Sequence, residues 1–149
     1  LQLANSMAVI ANEGFYITPH LNKHDSMLTK VHKAKVDKKY FPIVNEGMWR
    51  VFEYGTGRHY KIPNTSMCGK TGTVQNNHGK DHSLFVGFAP REKPKIAIAV
   101  VVENAGFGAT WAAPISSLMM EQYLYGKIER TDLLERMTTS VTNANVKER

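Results

Sequence analysis

The sequence has 149 residues, enough for one domain with a hydrophobic core, and its 42% hydrophobic and 21% charged residues are ordinary for a globular protein. It contains no run of about 18 apolar residues, the length that a transmembrane helix needs. The single Cys68 excludes an intrachain disulfide and a cysteine-rich metal site. Much of the net charge of +6 lies in residues 22–39, where six lysines and two aspartates predict a solvated surface loop or, alternatively, a contact with an anionic surface.

The first part of the chain shows helical spacing twice. Apolar residues recur about one turn apart over residues 1–13, which predicts a helix that ends at Gly14. No capping residue precedes this helix, so we expect the sequence to be part of a longer chain. Residues 15–21 follow as a short extended segment, and residues 43–54 return to helical spacing before Gly55.

The pattern then changes to strands. Residues 67–75, 82–90 and 95–104 predict a three-stranded antiparallel sheet, and the last two strands are apolar on both faces, so both sides of the sheet should be covered. Residues 106–110 predict a flexible loop. Residues 111–125 predict a helix with one shared apolar face, formed by Ile115, Leu118, Met119 and Tyr123. Together these elements predict an α+β fold in which helices flank an antiparallel sheet.

Residues 64–75, "NTSMCGKTGTVQ", suggest two different chemistries for one lysine. Gly69, Lys70 and Thr71 match the end of a phosphate-binding loop, but that motif requires a glycine where Asn64 stands. The motif also requires a buried strand before it and a helix directly after it. The preceding "RHYKIPN" is polar, and the following "GTVQNNHG" is a poor helix start. The sequence therefore disfavours phosphate binding.

The same residues make chemical sense as a strand. Alternation places Thr71 and Thr73 on one face and Lys70 and Gly72 on the other. Two hydroxyls can bind a carboxylate, the lysine adds positive charge, and the glycine lets a ligand approach the backbone. An extended peptide can pair with such a strand edge, and a free N–H there can face a developing oxyanion. Lys-Thr-Gly is also one of three motifs found together in penicillin-binding proteins and serine β-lactamases.

Six segments extend this similarity along most of the chain. In order they are "LQLANSMAVIANEGFYITPHL", "EGMWRVF", "GKTGTVQ", "DHSLFVGFAP", "PKIAIAVVVENAGFGATWAAPI" and "MMEQYL". Residues 1–126 thereby resemble the C-terminal part of the transpeptidase domain of class B penicillin-binding proteins, most closely the elongation type, penicillin-binding protein 2. The resemblance implies a penicillin-binding, serine β-lactamase-like fold, of which residues 1–126 form an incomplete domain. Residues 127–149 are expected to form a helical extension and a polar tail.

The resemblance implies a D,D-transpeptidase that cross-links peptidoglycan stem peptides through a serine acyl-enzyme and is inhibited by β-lactams. Lys70 would direct positive charge toward the substrate carboxylate and the second-motif serine. The hydroxyls of Thr71 and Thr73 would bind the terminal carboxylate of the D-Ala-D-Ala donor or of penicillin. The Thr73 N–H would be one oxyanion donor, Gly72 would allow close approach, and Gln75 is a candidate lining residue of the cleft.

Two of the family's three motifs are missing. The nucleophile of the family is the serine of Ser-x-x-Lys, and no serine here has lysine three residues later. Ser26 and Ser66 have lysine at the fourth position, and no serine has asparagine two residues later. A nucleophile needs its base within hydrogen-bond reach. We therefore expect the chain alone neither to cross-link peptide nor to be acylated by penicillin.

Other candidate sites have weaker signals. The six histidines show no paired ligand spacing, so we expect no metal and no cofactor. Asp81 and His82 could orient a catalytic group, but they more simply mark the start of a strand. Phe107 and Trp111 flank the 106–110 loop and are expected to pack in the core or to form a hydrophobic staple rather than line a peptide groove. The alternative function is a basic module that binds cell wall or nucleic acid, although no nucleic-acid-binding motif occurs.

The resemblance also implies partners and a location. The intact protein would be anchored in the bacterial cytoplasmic membrane with an extracytoplasmic catalytic domain, while this segment would be soluble. Its partners would be stem peptides, β-lactams, the remainder of the transpeptidase domain and a RodA-type polymerase. Because strands from upstream would be missing, we expect an exposed sheet edge, an exposed apolar face, and dimerisation or swapping of the isolated chain.

Overall fold

The structure, a computed structural model, describes residues 1–22 and 30–140. In these described residues, four α-helices and five strands follow one another. The helices are α1 (Gln2–Ala11), α2 (Phe41–Glu53), α3 (Ala112–Tyr125) and α4 (Thr131–Thr139). The strands are β1 (Phe15–Ile17), β2 (Val31–Lys33), β3 (Cys68–Val74), β4 (His82–Ala89) and β5 (Ile96–Val102).

The main sheet has the order β3-β4-β5, and both pairings are antiparallel. Its two faces are covered by two core clusters, and α2 contributes a side chain to each, Phe52 to one and Met48 to the other. Phe85 and Ile98 pack in a core cluster with residues of α3, whereas Phe88 packs in another with Met7 of α1 and Met48 of α2. Since successive side chains of a strand point to opposite faces, the doubly apolar pattern of β4 is what this two-sided burial requires.

Helix α3 packs on the sheet through Ala112, Ala113 and Met120, which share a core cluster with Phe85 and Ile98. Ser116 and Ser117 are fully buried beside them. The apolar face predicted from Ile115, Leu118, Met119 and Tyr123 also exists, but these four side chains line a groove between α3 and α4. Met119 and Tyr123 are more than half exposed there. The helix ends at Gly126, whose φ of +72° is left-handed.

The predicted α+β class, the three strands of the main sheet and the three major helices are confirmed. The lysine-rich segment is not simply a loop, because β2 pairs with β1 in a second, two-stranded sheet. Residues 23–29 of that segment lie outside the described residues, as does the tail 141–149. An exposed apolar sheet face was expected, yet Phe85 and Phe88, on opposite faces of β4, are both fully buried.

The 106–110 loop is held against the sheet rather than free. Ser83 Oγ donates a hydrogen bond to the carbonyl of Phe107 and accepts one from the N–H of Ala112, both at 3.0 Å. The Phe107 side chain nevertheless points outward and is 74% exposed, so the prediction that it packs in the core is wrong. Trp111 is partly buried at the start of α3.

Candidate functional site

The candidate site lies on β3, which among the described residues is an edge strand of the main sheet. Its register pairs Lys70 with Val86 and Thr71 with Phe85. Burial decreases along the strand: Cys68 and Gly69 are buried, Lys70 is exposed, the next two residues are partly buried, and residues 73–75 are exposed. The strand therefore starts in the core and carries its polar motif out to the surface.

The predicted alternation of side chains on β3 is confirmed. Lys70 and Gly72 are two residues apart and share one face, and Thr71 and Thr73 share the other. Lys70 Nζ donates a hydrogen bond of 2.7 Å to the carbonyl of Thr71. The ammonium group is thus held beside the strand backbone at the exposed end of the motif. Gln75 lies exposed just beyond the end of β3.

The loop after β5 approaches the motif strand through Gly108. A Cβ atom on Gly108 would lie 2.3 Å from the Leu84 carbonyl oxygen and 2.4 Å from that of Gly72. A side chain cannot be placed at such distances, so glycine is required here for close approach. This contact was not predicted, because the pattern of residues 106–110 indicates only a loop and not what the loop touches.

The hydroxyl of Thr71 has a neighbour from a distant part of the chain. Thr56, in the turn after α2, places its Oγ1 3.0 Å from Thr71 Oγ1. No sequence signal pointed to Thr56, since the pair is separated by 15 residues and joins two different elements.

Asp81 and His82 have structural partners. Asp81 Oδ1 accepts a hydrogen bond from the N–H of Asn76, and His82 Nδ1 accepts one from the N–H of Asn104. The Asn76 side chain also donates to the Asn104 side chain at 2.7 Å. These contacts tie the β3–β4 turn to the end of β5, and β4 begins at His82, so the interpretation as a strand start is confirmed.

A polar cluster lies at the buried end of β3, beside the start of the motif strand. Glu46 of α2 accepts hydrogen bonds from Arg50 and from Arg91, each at 2.8 Å, and these two guanidinium groups hold the pKa of Glu46 below its ordinary value. Ser66 donates a hydrogen bond to Glu92, which lowers the pKa of that carboxyl group. The hydroxyl of Ser66 is thus occupied by a carboxylate.

The thiol of Cys68 is fully buried and donates to the Asn45 carbonyl at 3.5 Å. Burial raises its pKa to about 12, so the group stays a neutral thiol. Within residues 1–22 and 30–140, no three His, Cys, Asp or Glu side chains are grouped as a metal site. In the same residues, no helix combines the length and the apolar character needed to cross a membrane.

Comparisons with known proteins agree on one family. The model of the penicillin binding protein transpeptidase domain matches residues 1–121. The peptidoglycan D,D-transpeptidase MrdA of Acinetobacter baumannii is 36% identical over 148 aligned positions, which cover 83% of this chain and 22% of that protein.

Solved structures give the same result. PBP2 of Pseudomonas aeruginosa, in complex with WCK 5153, superposes with a TM-score of 0.72 at 35% identity, covering 87% of this chain and 31% of that one. The imipenem acyl-enzyme of penicillin-binding protein A from Mycobacterium tuberculosis gives 0.70 at 28% identity, covering 81% and 29%. The chain therefore spans less than a third of each of these relatives.

Proposed function

This chain belongs to the penicillin-binding protein transpeptidase family, and we propose that it supplies one wall of a D,D-transpeptidase site whose nucleophile lies on another segment. The observation that carries the proposal is the position of Lys70 to Thr73. These residues lie on an edge strand that leaves the core and ends exposed. An edge strand leaves backbone groups free to pair with an extended peptide, which is the form of a stem peptide.

The side chains of this strand suit a terminal carboxylate. Thr71 and Thr73 present two hydroxyls on one face, and a hydroxyl can donate one hydrogen bond to an anion. Lys70 supplies a positive charge within the same short segment. Hydrogen bonds to a charged group contribute about 1.5–3 kcal/mol, so one hydroxyl is sufficient to favour a carboxylate substrate over its neutral ester by about tenfold or more.

The backbone of Thr73 is the proposed oxyanion donor. The Lys70 ammonium group donates a hydrogen bond to the carbonyl of Thr71. This contact favours a Thr71 carbonyl that points away from β4. In an antiparallel pair, alternate residues direct their N–H and C=O groups the same way. The N–H of Thr73, two residues later, would then also face the open edge, where it could meet a developing negative charge.

The hydroxyls of three described serines are engaged in hydrogen bonds, which supports a nucleophile supplied from elsewhere. Ser66 donates to a carboxylate, and Ser83 and Ser117 donate to backbone carbonyls. Since the sequence also lacks Ser-x-x-Lys and Ser-x-Asn, the chain alone is proposed to be inactive. The acyl-enzyme serine and its lysine would come from the upstream part of the domain.

The partners follow from the same proposal. The donor substrate would be a stem peptide ending in D-Ala-D-Ala, and β-lactams would act as its mimics. The intact protein would be anchored in the cytoplasmic membrane, with its catalytic domain outside, and would work with a RodA-type polymerase. Residues 1–126 would complete the transpeptidase domain, and residues 127–149 would form its C-terminal extension.

The test is intact-protein mass spectrometry after incubation with benzylpenicillin. It compares this chain alone with the completed domain, meaning this chain joined at its N-terminus to the upstream part of a transpeptidase domain that carries Ser-x-x-Lys and Ser-x-Asn. We expect no adduct on the chain alone and one penicilloyl adduct on the upstream serine of the completed domain. Lys70→Ala and Thr71→Val should each slow that acylation about tenfold or more. An adduct on this chain alone would refute the proposal.

A further inference from the structure

The hydroxyl of Thr71, a residue of the proposed site, contacts the hydroxyl of Thr56. The two Oγ1 atoms lie 3.0 Å apart, and either could be the donor. Thr71 is partly buried and Thr56 is exposed. The pair therefore lies where the turn after α2 meets the motif strand.

The turn that carries Thr56 is rigidly attached to α2. The N–H groups of Gly55 and Gly57 donate to the carbonyls of Arg50 and Val51, at 3.1 and 3.0 Å. A Cβ atom on Gly55 would lie 2.9 Å from Val51 Cα, so only glycine allows the turn to fold back this closely.

The second glycine of the turn packs on the core. A Cβ on Gly57 would lie 3.0 Å from two ring carbons of Phe52, which is 1% exposed and makes an edge contact with Phe85 of β4. The position of Thr56 relative to β3 is thus set by buried packing and does not depend on its own hydrogen bond.

The number of hydrogen bonds that a hydroxyl can make indicates which threonine donates to the other when a carboxylate is bound. A hydroxyl donates one hydrogen bond and can accept two. If Thr71 donates its proton to a carboxylate, its oxygen can still accept the proton of Thr56. Donors linked in this way polarise one another, which strengthens the outer bond. Without Thr56, the Thr71 hydroxyl is free to turn toward other acceptors.

We propose that Thr56 is a positioning residue that holds the Thr71 hydroxyl and directs its proton toward the substrate carboxylate. This inference rests on the proposed function, in which Thr71 binds that carboxylate. Thr56 itself does not contact the substrate. Its effect should therefore be smaller than that of Thr71 and should be confined to ligands that carry the carboxylate.

The experiment measures acylation rates of the completed domain with benzylpenicillin and with benzylpenicillin methyl ester, which lacks the carboxylate charge. Thr56→Val should slow acylation by benzylpenicillin about 3- to 10-fold and leave the ester rate unchanged. Thr56→Ser, which keeps the hydroxyl, should restore the rate. Thr56→Ala repeats the test without a β-branched side chain, and Thr139→Val, on exposed α4, is the matched control. Thermal unfolding of each variant tests whether the fold is retained.

The outcomes separate this inference from the proposed function. An unreactive completed domain, or a Thr71→Val variant that keeps its benzylpenicillin rate, would overturn the proposed function. If Thr71→Val is slow but Thr56→Val is normal, only the role of Thr56 is wrong. Equal slowing toward the acid and the ester, or no rescue by serine, would also overturn it. In a Thr71→Val background, Thr56→Val should have no further effect, because the two residues act as one unit.

Discussion

At the residue scale, Gly108 shows how one missing side chain brings a loop onto the motif strand. Gly108→Ala would place a methyl group 2.3–2.4 Å from two carbonyl oxygens of the β3–β4 ladder. The loop must then move, and we expect the free energy of unfolding to fall by about 1–3 kcal/mol. Urea denaturation measures this change.

The control for that variant is the same substitution at Gly47. This glycine is exposed in the middle of α2, and a methyl group added to it would have no neighbour within 4 Å. Gly47→Ala should therefore stabilise the chain by about 0.5–1 kcal/mol, because alanine favours a helix more than glycine does. Destabilisation of both variants by the same amount would show that the close approach of Gly108 is not the cause.

Cys68 provides a second prediction at this scale. With a pKa of about 12 and no exposed surface, its thiol should react with Ellman's reagent at pH 8 roughly 10³-fold more slowly than an ordinary cysteine. In urea, one thiol per chain should react at the ordinary rate. Rapid reaction under native conditions would mean that the start of β3 opens readily from α2.

The positions and contacts of individual residues were only partly predictable from the sequence. The alternation of Lys70, Thr71, Gly72 and Thr73 follows from local strand geometry, and it was predicted correctly. Thr56 was not predicted, because its contact depends on tertiary packing. Phe107 was assigned to the core on hydrophobicity alone, and the hydrogen bond to its carbonyl holds only the backbone.

At the element scale, Glu46 links α2 to the turn after β4. Its carboxylate accepts from Arg50 within the helix and from Arg91 beyond β4, and Arg91 also lies over the ring of Trp49. The pKa of Glu46 is lowered in the folded chain, by Arg50 first and then by Arg91. Its contribution to stability is therefore fully present above its ordinary pKa of 4.5 and is lost as the pH falls through the lower, folded value.

The corresponding variant is Glu46→Gln. We expect its melting temperature to be lower than that of the wild type at pH 7, by a few degrees at most because the pair is at the surface. The two curves should converge at low pH, where the wild-type carboxylate is protonated. Glu103→Gln is the control, since Glu103 is exposed and has no ion pair among the described residues. A constant difference at all pH values would show that the effect is not electrostatic.

Elements with strong local periodicity were predictable from the sequence, and those that depend on a partner were not. The β4–β5 hairpin and α2 have clear apolar patterns and lie where they were expected. Strand β2 has only three residues within a lysine-rich segment, and it exists because β1 pairs with it. Helix α3 was predicted correctly, but half of its buried residues are alanine and serine, which an apolar pattern does not single out.

At the scale of the whole molecule, the sheet ends at β5. Within the described residues only β4 pairs with this strand, so its outer edge has unpaired backbone groups. Val101 on β5 is 54% exposed. A long apolar edge strand of this kind is a template for pairing with another chain. We propose that an upstream strand occupies this edge in a complete transpeptidase domain, an expectation that comes only from the resemblance to the family.

We therefore expect the isolated chain to self-associate through β5. Light scattering coupled to size exclusion should show a mass that increases with concentration over about 1–100 μM. Val101→Lys should shift the chain toward the monomer, because an edge lysine would have to be desolvated and placed near its copy. Val36→Lys, at a valine that is 53% exposed outside both sheets, should leave association unchanged. A monodisperse wild-type monomer at all concentrations would contradict edge pairing. Equal effects of Val101→Lys and Val36→Lys would show that the change in association depends on net charge and not on the β5 edge.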